Sequence, residues 1–275
     1  MKREVSPLLV AVAALAFVVA APAHAADSHL VIIGGGDHPP AAMARLVEWS
    51  GGAASRMLVV PWASVEPKES CDELVAEMKT HGVAEAVCAP FAKLDDKGNA
   101  SPLDAASRGV FEQQLARATG LYFTGGDQVR IMAVLAADGL REAVRARYAA
   151  GVAMAGTSAG AAIMSERMIT GEGDFTVIDG AKVEVKQGLG LLPGAIVDQH
   201  FVKRQRENRL FGLVLLHPEE RGVGINEATA LLVTNGIDAE VMGAGPVMLV
   251  DAKGPDQLLV TLVRAGQKTN LRLRP

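Results

Sequence analysis

The sequence predicts a three-layer α/β/α sandwich with a mostly parallel central sheet. Two observations carry this. Apolar β-type runs alternate with amphipathic helical stretches from Leu30 to about residue 165. Beyond Gly222 the apolar runs become short, closely spaced and almost free of helical patterning. The first pattern is that of βαβ units, whose parallel strands are covered by helices on both faces. The second reads as antiparallel strands or hairpins added at the C-terminal end.

The runs follow in order. LVIIGGG (30–36) is a strand ending in glycines, and 41–50 is a helix. RMLVVPWAS (56–64) is a strand, 71–82 a helix and VAEAVCAPF (83–91) a strand. A polar loop at 95–101 precedes a helix at 109–119, the strand GLYFTGG (120–126), helical stretches over 128–149 and the strand VAMAGTS (152–158). A helix of small residues is expected after Ser158. The later strand candidates are AIVDQHF (195–201), GVGIN (222–226), ATALLVT (228–234), AEVMGAG (239–245), VMLVDA (247–252) and QLLVTLVR (257–264).

At the N-terminus, Lys2 and Arg3 precede an apolar run at 8–21 and then Ala23-His24-Ala25. The run is shorter than the roughly 20 residues of a spanning helix, and alanines stand where a signal peptidase reads small residues. Residues 1–25 are therefore expected to be a signal peptide, with residues 26–275 forming one exported domain, periplasmic or extracellular, without stable membrane insertion. The net charge of −4, with no Lys/Arg block, offers no electrostatic footprint for nucleic acid. Cys71 and Cys88, the only cysteines, make neither a metal pattern nor a disulfide framework, so free thiols and a single bridge both stay open. No H-E-x-x-H, paired C-x-x-C or carboxylate cage appears, so neither a catalytic metal nor another cofactor is expected.

The chemistry centres on Gly156-Thr157-Ser158-Ala159-Gly160, a G-x-S-x-G at the end of a buried strand. There a sharp strand-to-helix turn presents the serine hydroxyl as a nucleophile. The Ala159 N–H and the start of the next helix would face the developing oxyanion. Gly125 and Gly126, at the end of another strand, would supply a further N–H. Of the histidines downstream, His200 follows an apolar strand and is expected at the carboxyl edge of a parallel sheet, whereas His217 precedes Pro218 at a helix end; placement favours His200 as base. Glu227, at a turn between apolar strands, is the candidate acid to orient it, against the plainer reading of a solvated hairpin glutamate. An α/β-hydrolase would need the order serine, acid, histidine, using Asp198 and His217. Dinucleotide binding at Gly34-Gly35-Gly36-Asp37 is disfavoured because Pro39 follows and G-x-G-x-x-G is absent.

Together, GGGD (34–37), TGGDQ (124–128), GTSAGAA (156–162), MITGE (168–172), DQHF (198–201) and GINEATA (224–230) resemble the serine peptidase family that includes cyanophycinase and aspartyl dipeptidase. That resemblance covers most of the chain after residue 25 and implies a fold like the class I glutamine amidotransferases. It implies Ser158 as nucleophile, His200 as base and Glu227 as orienting acid. It also implies substrate binding by Gln128, Asp198, Gln199, Arg204, Arg206 and Arg209, since arginines suit carboxylates and an aspartate suits a guanidinium. On a regular helix Arg206 and Arg209 would lie about 60° apart with Arg204 well away, so at least one arginine is expected to be structural. Asn226 and Ala228 stand where the family pattern leads one to expect acidic residues. The implied activity is exopeptidase hydrolysis of cyanophycin to β-Asp-Arg dipeptides, with an aspartyl or isoaspartyl dipeptidase, or a non-catalytic polymer-binding module, as alternatives. A homodimer is compatible with the resemblance.

Overall fold

The computed structural model describes residues 26–273; the expected signal peptide, residues 1–25, lies outside the described residues. Strands β1 (His29–Ile33), β2 (Arg56–Val60), β3 (Glu85–Cys88), β4 (Gly120–Phe123) and β5 (Ala153–Thr157) pair in parallel in the order β1-β5-β4-β2-β3. Their two-residue period sends Leu30, Ile32, Leu58, Val60, Leu121, Phe123 and Met154 to one face. Val31, Ile33, Met57, Val59, Tyr122, Ala153 and Ala155 go to the other.

Each face is covered by helices. Helices α1 (Pro40–Trp49) and α2 (Pro67–Thr80) pack Met43, Leu46, Cys71, Leu74 and Met78 on the second face. Helices α3 (Ala105–Arg117), α4 (Gln128–Leu135), α5 (Leu140–Ala149) and α6 (Ala159–Ala162) pack Phe111, Leu115, Ile131, Leu135, Val144 and Ala161 on the first. Local chemistry sets the helix starts. Pro40 and Pro67 occupy first-turn positions where no N–H is needed. Asp104 and Asp127 accept the N–H groups of Ser107 and Val129 as N-caps. These signals start α2 and α3 about four residues earlier than the apolar pattern predicts. The helical stretch at 128–149 is two helices, broken where Asp138 and Gly139 take positive φ.

The helix expected after Ser158 is only one turn long, so little macrodipole stands behind it, and the local N–H groups are what it offers. A hairpin of β6 (Arg167–Gly173) and β7 (Val183–Gln187) was not predicted as strands. The remaining elements are β8 (Ala195–Asp198), α7 (Glu207–Leu216), β9 (Arg221–Ile225), β10 (Thr229–Thr234), β11 (Asp238–Gly243), β12 (Val247–Gly254), β13 (Gln257–Val263) and β14 (Lys268–Asn270). Strands β10, β11 and β14 extend the central sheet antiparallel from β1.

The other late strands form a second sheet, β13-β12-β9-β8, in which β8 and β9 run parallel. Its inner side chains, including Val197, Val223, Ile225 and Leu249, join the core on the first face of the central sheet. Its outer face packs against Leu210, Leu213 and Val214 of α7. Strand β8 therefore ends in this second sheet and not in the central one, which corrects the expected setting of His200. Cys71 and Cys88 form a disulfide that ties α2 to the end of β3.

Candidate active site

Ser158 sits between β5 and α6 with φ 52° and ψ −112°, a conformation that non-glycine residues rarely adopt. Its N–H donates to the Ile33 carbonyl at 3.0 Å, which pins the turn to the end of β1. Added Cβ atoms at Gly156 and Gly160 would run into the carbonyls of Gly160 and Phe123 respectively, so the two glycines of the motif are needed for close backbone approach. The N–H groups of Gly125, Gly126 and Ala159 make no backbone hydrogen bond among the described residues. Gly125 lies against Ser158: a Cβ there would stand 3.4 Å from Ser158 Cβ.

His200 follows β8 and likewise has a positive φ, 49°. Its N–H donates to the Gly34 carbonyl at 2.7 Å. The carboxyl ends of β1 and β8, from two different sheets, are thus joined one residue beyond the link to Ser158. His200 Nε2 lies 2.8 Å from Ser158 Oγ, and its Nδ1 lies 2.6 Å from Glu227 Oε1. Glu227 follows β9, and the second carboxylate oxygen accepts from Lys203 Nζ at 2.5 Å. Lys203 and His200 together hold the Glu227 carboxyl below the usual carboxylate range. Burial lowers the imidazole's affinity for a proton, the hydrogen bond to Glu227 opposes this, and the Arg204 and Arg206 cations add to the lowering. The result is a largely neutral imidazole with its ring oriented at both nitrogens, able to accept a proton from the hydroxyl.

Three contributors have no structural role assigned from the sequence, although Gly34–Gly36 and Asn226 lie within its motifs. The Gly34-Gly35-Gly36 turn is the seat of the imidazole and its acid: a Cβ on Gly35 would collide with the His200 ring, and one on Gly36 would lie 3.2 Å from Glu227 Cβ. Asn226 spends both ends of its amide, accepting from the Val202 N–H at 3.1 Å and donating to the Pro246 carbonyl at 2.7 Å. A carboxylate could not make the second bond, which accounts for Asn at this place. Lys203 is the third, recognisable only once the loop after His200 is seen to fold back over Glu227.

The residues assigned to substrate binding divide. Asp198 and Arg209 form a bidentate pair at 2.5 and 2.6 Å, with side chains 1% and 3% exposed, and Arg209 stacks over Phe175. They pair with each other, and Arg209 also belongs to the lining of the cleft over Ser158. Helical spacing of the arginines does not apply, because residues 201–205 are turns and α7 begins at Glu207. Arg206 donates to the Gln199 carbonyl at 2.8 Å; burial, and next the neighbouring Arg209, lower its pKa to about 10, which leaves it charged at neutral pH. Arg204 is exposed. Gln199 is buried with Oε1 3.4 Å from Ser158 Oγ. Gln128 is also buried and donates through Nε2 to the carbonyls of Ile169 and Thr170, so it anchors the β6–β7 hairpin beside the site.

An open cleft of about 370 Å³ runs over Ser158. Arg204, Arg206 and Arg209 contribute to its lining, together with Glu172 and Glu184 of the hairpin. His217, the alternative base, closes α7 and faces Glu219 at 3.4 Å, and Asp198, its would-be acid, is taken by Arg209.

Residues 30–239 match the model of Peptidase family S51. The chain belongs to this family. It is a serine-type peptidase, a hydrolase. The cyanophycinase of Geminocystis herdmanii (strain PCC 6308) is 33% identical over 230 residues, covering 82% of this chain and 81% of the relative. That of Trichormus variabilis (strain ATCC 29413 / PCC 7937) is 41% identical over 138 residues, 50% of this chain but only 46% of the relative. Among solved structures, a peptidase from an acI-B1 Actinobacterium aligns with a TM-score of 0.65 at 21% identity, covering 88% of this chain and 96% of that one. A putative peptidase E protein from Listeria monocytogenes EGD-e aligns with a TM-score of 0.50 at 14% identity, covering 86% and 100%. These likenesses bear on the fold, and they agree with the glutamine amidotransferase-like sandwich.

Proposed function

We propose that this S51 peptidase is an exported exopeptidase that hydrolyses cyanophycin to β-Asp-Arg dipeptides, with Ser158, His200 and Glu227 as its catalytic triad. The observation that carries the triad is the continuous hydrogen-bonded line from Ser158 Oγ through the two nitrogens of His200 to Glu227. In the forward step His200 Nε2 takes the hydroxyl proton as Oγ attacks the backbone carbonyl carbon of the substrate. The N–H groups of Ala159 and of Gly125 or Gly126 receive the oxyanion. Collapse breaks the C–N bond, the leaving amine takes the proton from His200, and an acyl-enzyme ester remains. Water, deprotonated by the same imidazole, then releases the acid and restores Ser158.

The charges of the cleft support a substrate that carries both signs. Arg204 and Arg206 suit a carboxylate, and Glu172 and Glu184 suit guanidinium groups spaced along a polyaspartate chain. Similarity to the Geminocystis cyanophycinase supports the same substrate. Export is supported by the N-terminal composition and by the Cys71–Cys88 disulfide, a bond that persists in oxidising compartments.

The test supplies the purified chain, without residues 1–25, with insoluble cyanophycin and separately with aspartyl and isoaspartyl dipeptides. Release of β-Asp-Arg from the polymer, lost by at least about 10³-fold in Ser158→Ala, is the expected result. Turnover of dipeptides alone would assign the dipeptidase activity instead. Full activity in Ser158→Ala would remove the triad.

A further inference from the structure

We propose that His38 and Tyr122 are positioning residues for the nucleophile, joined with Glu77 in a second acid–imidazole–hydroxyl line that clamps the elbow of Ser158 to the glycine turn seating His200 and Glu227. Glu77 Oε2 lies 2.7 Å from His38 Nδ1, and Tyr122 Oη lies 3.0 Å from His38 Nε2. The three residues come from separate elements: Glu77 from α2, His38 from the loop between β1 and α1, and Tyr122 from β4. None of them lines the cleft over Ser158, so whatever they contribute to the chemistry passes through other residues.

The groups themselves set the direction of each hydrogen bond. Tyr122 is fully buried, and burial, then the charge of Glu77, pushes its phenol well above the ordinary range, so the hydroxyl keeps its hydrogen. A carboxylate only accepts. His38 therefore turns its Nδ1–H to Glu77 and leaves Nε2 to accept from the phenol. The phenol oxygen in turn bonds the side chain of Thr157, which ends β5 immediately before Ser158. At the other end, His38 stands two residues after Gly36. In that turn the Gly34 carbonyl holds the His200 N–H and the Gly35 carbonyl holds the Ala228 N–H. Strands β1 and β5 pair only as far as Ile33 and Thr157, and past that point a side-chain tie through β4 continues the constraint between turn and elbow. That constraint bears on the 2.8 Å between Ser158 Oγ and His200 Nε2.

The proposal rests on Ser158 as nucleophile, so the test reads the reactivity of that hydroxyl. A serine-directed fluorophosphonate is applied over a range of concentrations to the chain without residues 1–25, and the rate of covalent labelling is followed. Labelling of the wild type that is absent in Ser158→Ala supports the nucleophile; a wild type that is not labelled would overturn the triad and this proposal with it. Tyr122→Phe, which removes a single oxygen from a buried ring, and His38→Leu are each expected to lower the limiting labelling rate about tenfold at unchanged half-saturation, because displaced reacting groups cost rate and not probe binding. His38→Gln, whose amide can donate to Glu77 and accept from Tyr122, is expected to stay within about threefold of the wild type. Tyr122→Phe combined with His38→Leu is expected to cost no more than the larger single loss, since both break one line. A merely structural role would lower the urea midpoint or the fraction of chains labelled and leave the limiting rate unchanged, which would overturn the proposal. So would a His38→Gln as slow as His38→Leu, or losses that multiply in the double variant.

Discussion

Ser158, His200 and Ala228, which follows Glu227, all take positive φ, so the backbone is held in uncommon conformations at each corner of the proposed triad. Hydrogen bonds hold each in place: Ser158 to Ile33, His200 to Gly34, and Ala228 to the Gly35 carbonyl. The turn at 34–36 is therefore the common support, and Gly35 is its most demanding position. Gly35→Ala should push the imidazole off its line and lower kcat by about 10²-fold, with KM nearly unchanged, in steady-state kinetics on a soluble aspartyl peptide. The pH dependence follows from the same ring. The proposed mechanism needs neutral His200, and its folded pKa is lowered from 6.5, chiefly by burial. Activity is thus present above that lowered pKa and lost as pH falls through it, so the acid limb of kcat/KM lies below 6.5. Removing the Arg204 cation favours the imidazolium, and Arg204→Ala should move the acid limb upward; a limb that stays put or moves down would contradict this electrostatic account.

At the scale of elements, two cross-links govern how the site is carried. The disulfide fastens α2 to β3 across 17 positions, and a loop of that size contributes about 3 kcal/mol through the unfolded chain. Replacing both cysteines by alanine should lower the unfolding free energy by about that amount in urea titrations, leaving kcat unchanged because neither cysteine touches the cleft. The Asp198–Arg209 pair does for β8 and α7 what the disulfide does for α2 and β3, but without solvent to compensate a lost partner. Arg209→Ala leaves a buried carboxylate and should cost about 3–5 kcal/mol. Asp198→Asn combined with Arg209→Met should recover much of that stability, which separates a structural pair from one whose value lies in binding substrate. Arg204 and Arg206, before α7, line the cleft without a buried carboxylate pair of the Arg209 kind, and their loss should raise KM.

For the molecule as a whole, the proposed catalytic line joins two sheets: Ser158 comes from the central one, while His200 and Glu227 follow β8 and β9 of the second. One apolar cluster holds Leu30, Ile32 and Met154 of the first together with Val197, Val223 and Leu249 of the second. Loss of activity and loss of helical circular dichroism in urea should accordingly share one midpoint; an earlier loss of activity would mean that the second sheet detaches on its own.

The sequence by itself determined the strand–helix alternation and the elbow motif at Ser158, and it offered His200 and, with the family resemblance, Glu227 as candidate partners. The alternation, the elbow and His200 rest on short-range physics: a two-residue side-chain period, a turn that admits only glycine beside it, and polar residues at the end of an apolar strand. Only the tertiary structure decided that β8 and β9 leave the central sheet, that Arg209 belongs to Asp198, that Lys203 grips Glu227, that Gly35 seats the imidazole, and that the two cysteines pair. Those outcomes depend on which distant segments become neighbours. That choice is made by packing the whole set of apolar faces at once, and no local pattern of residues records it.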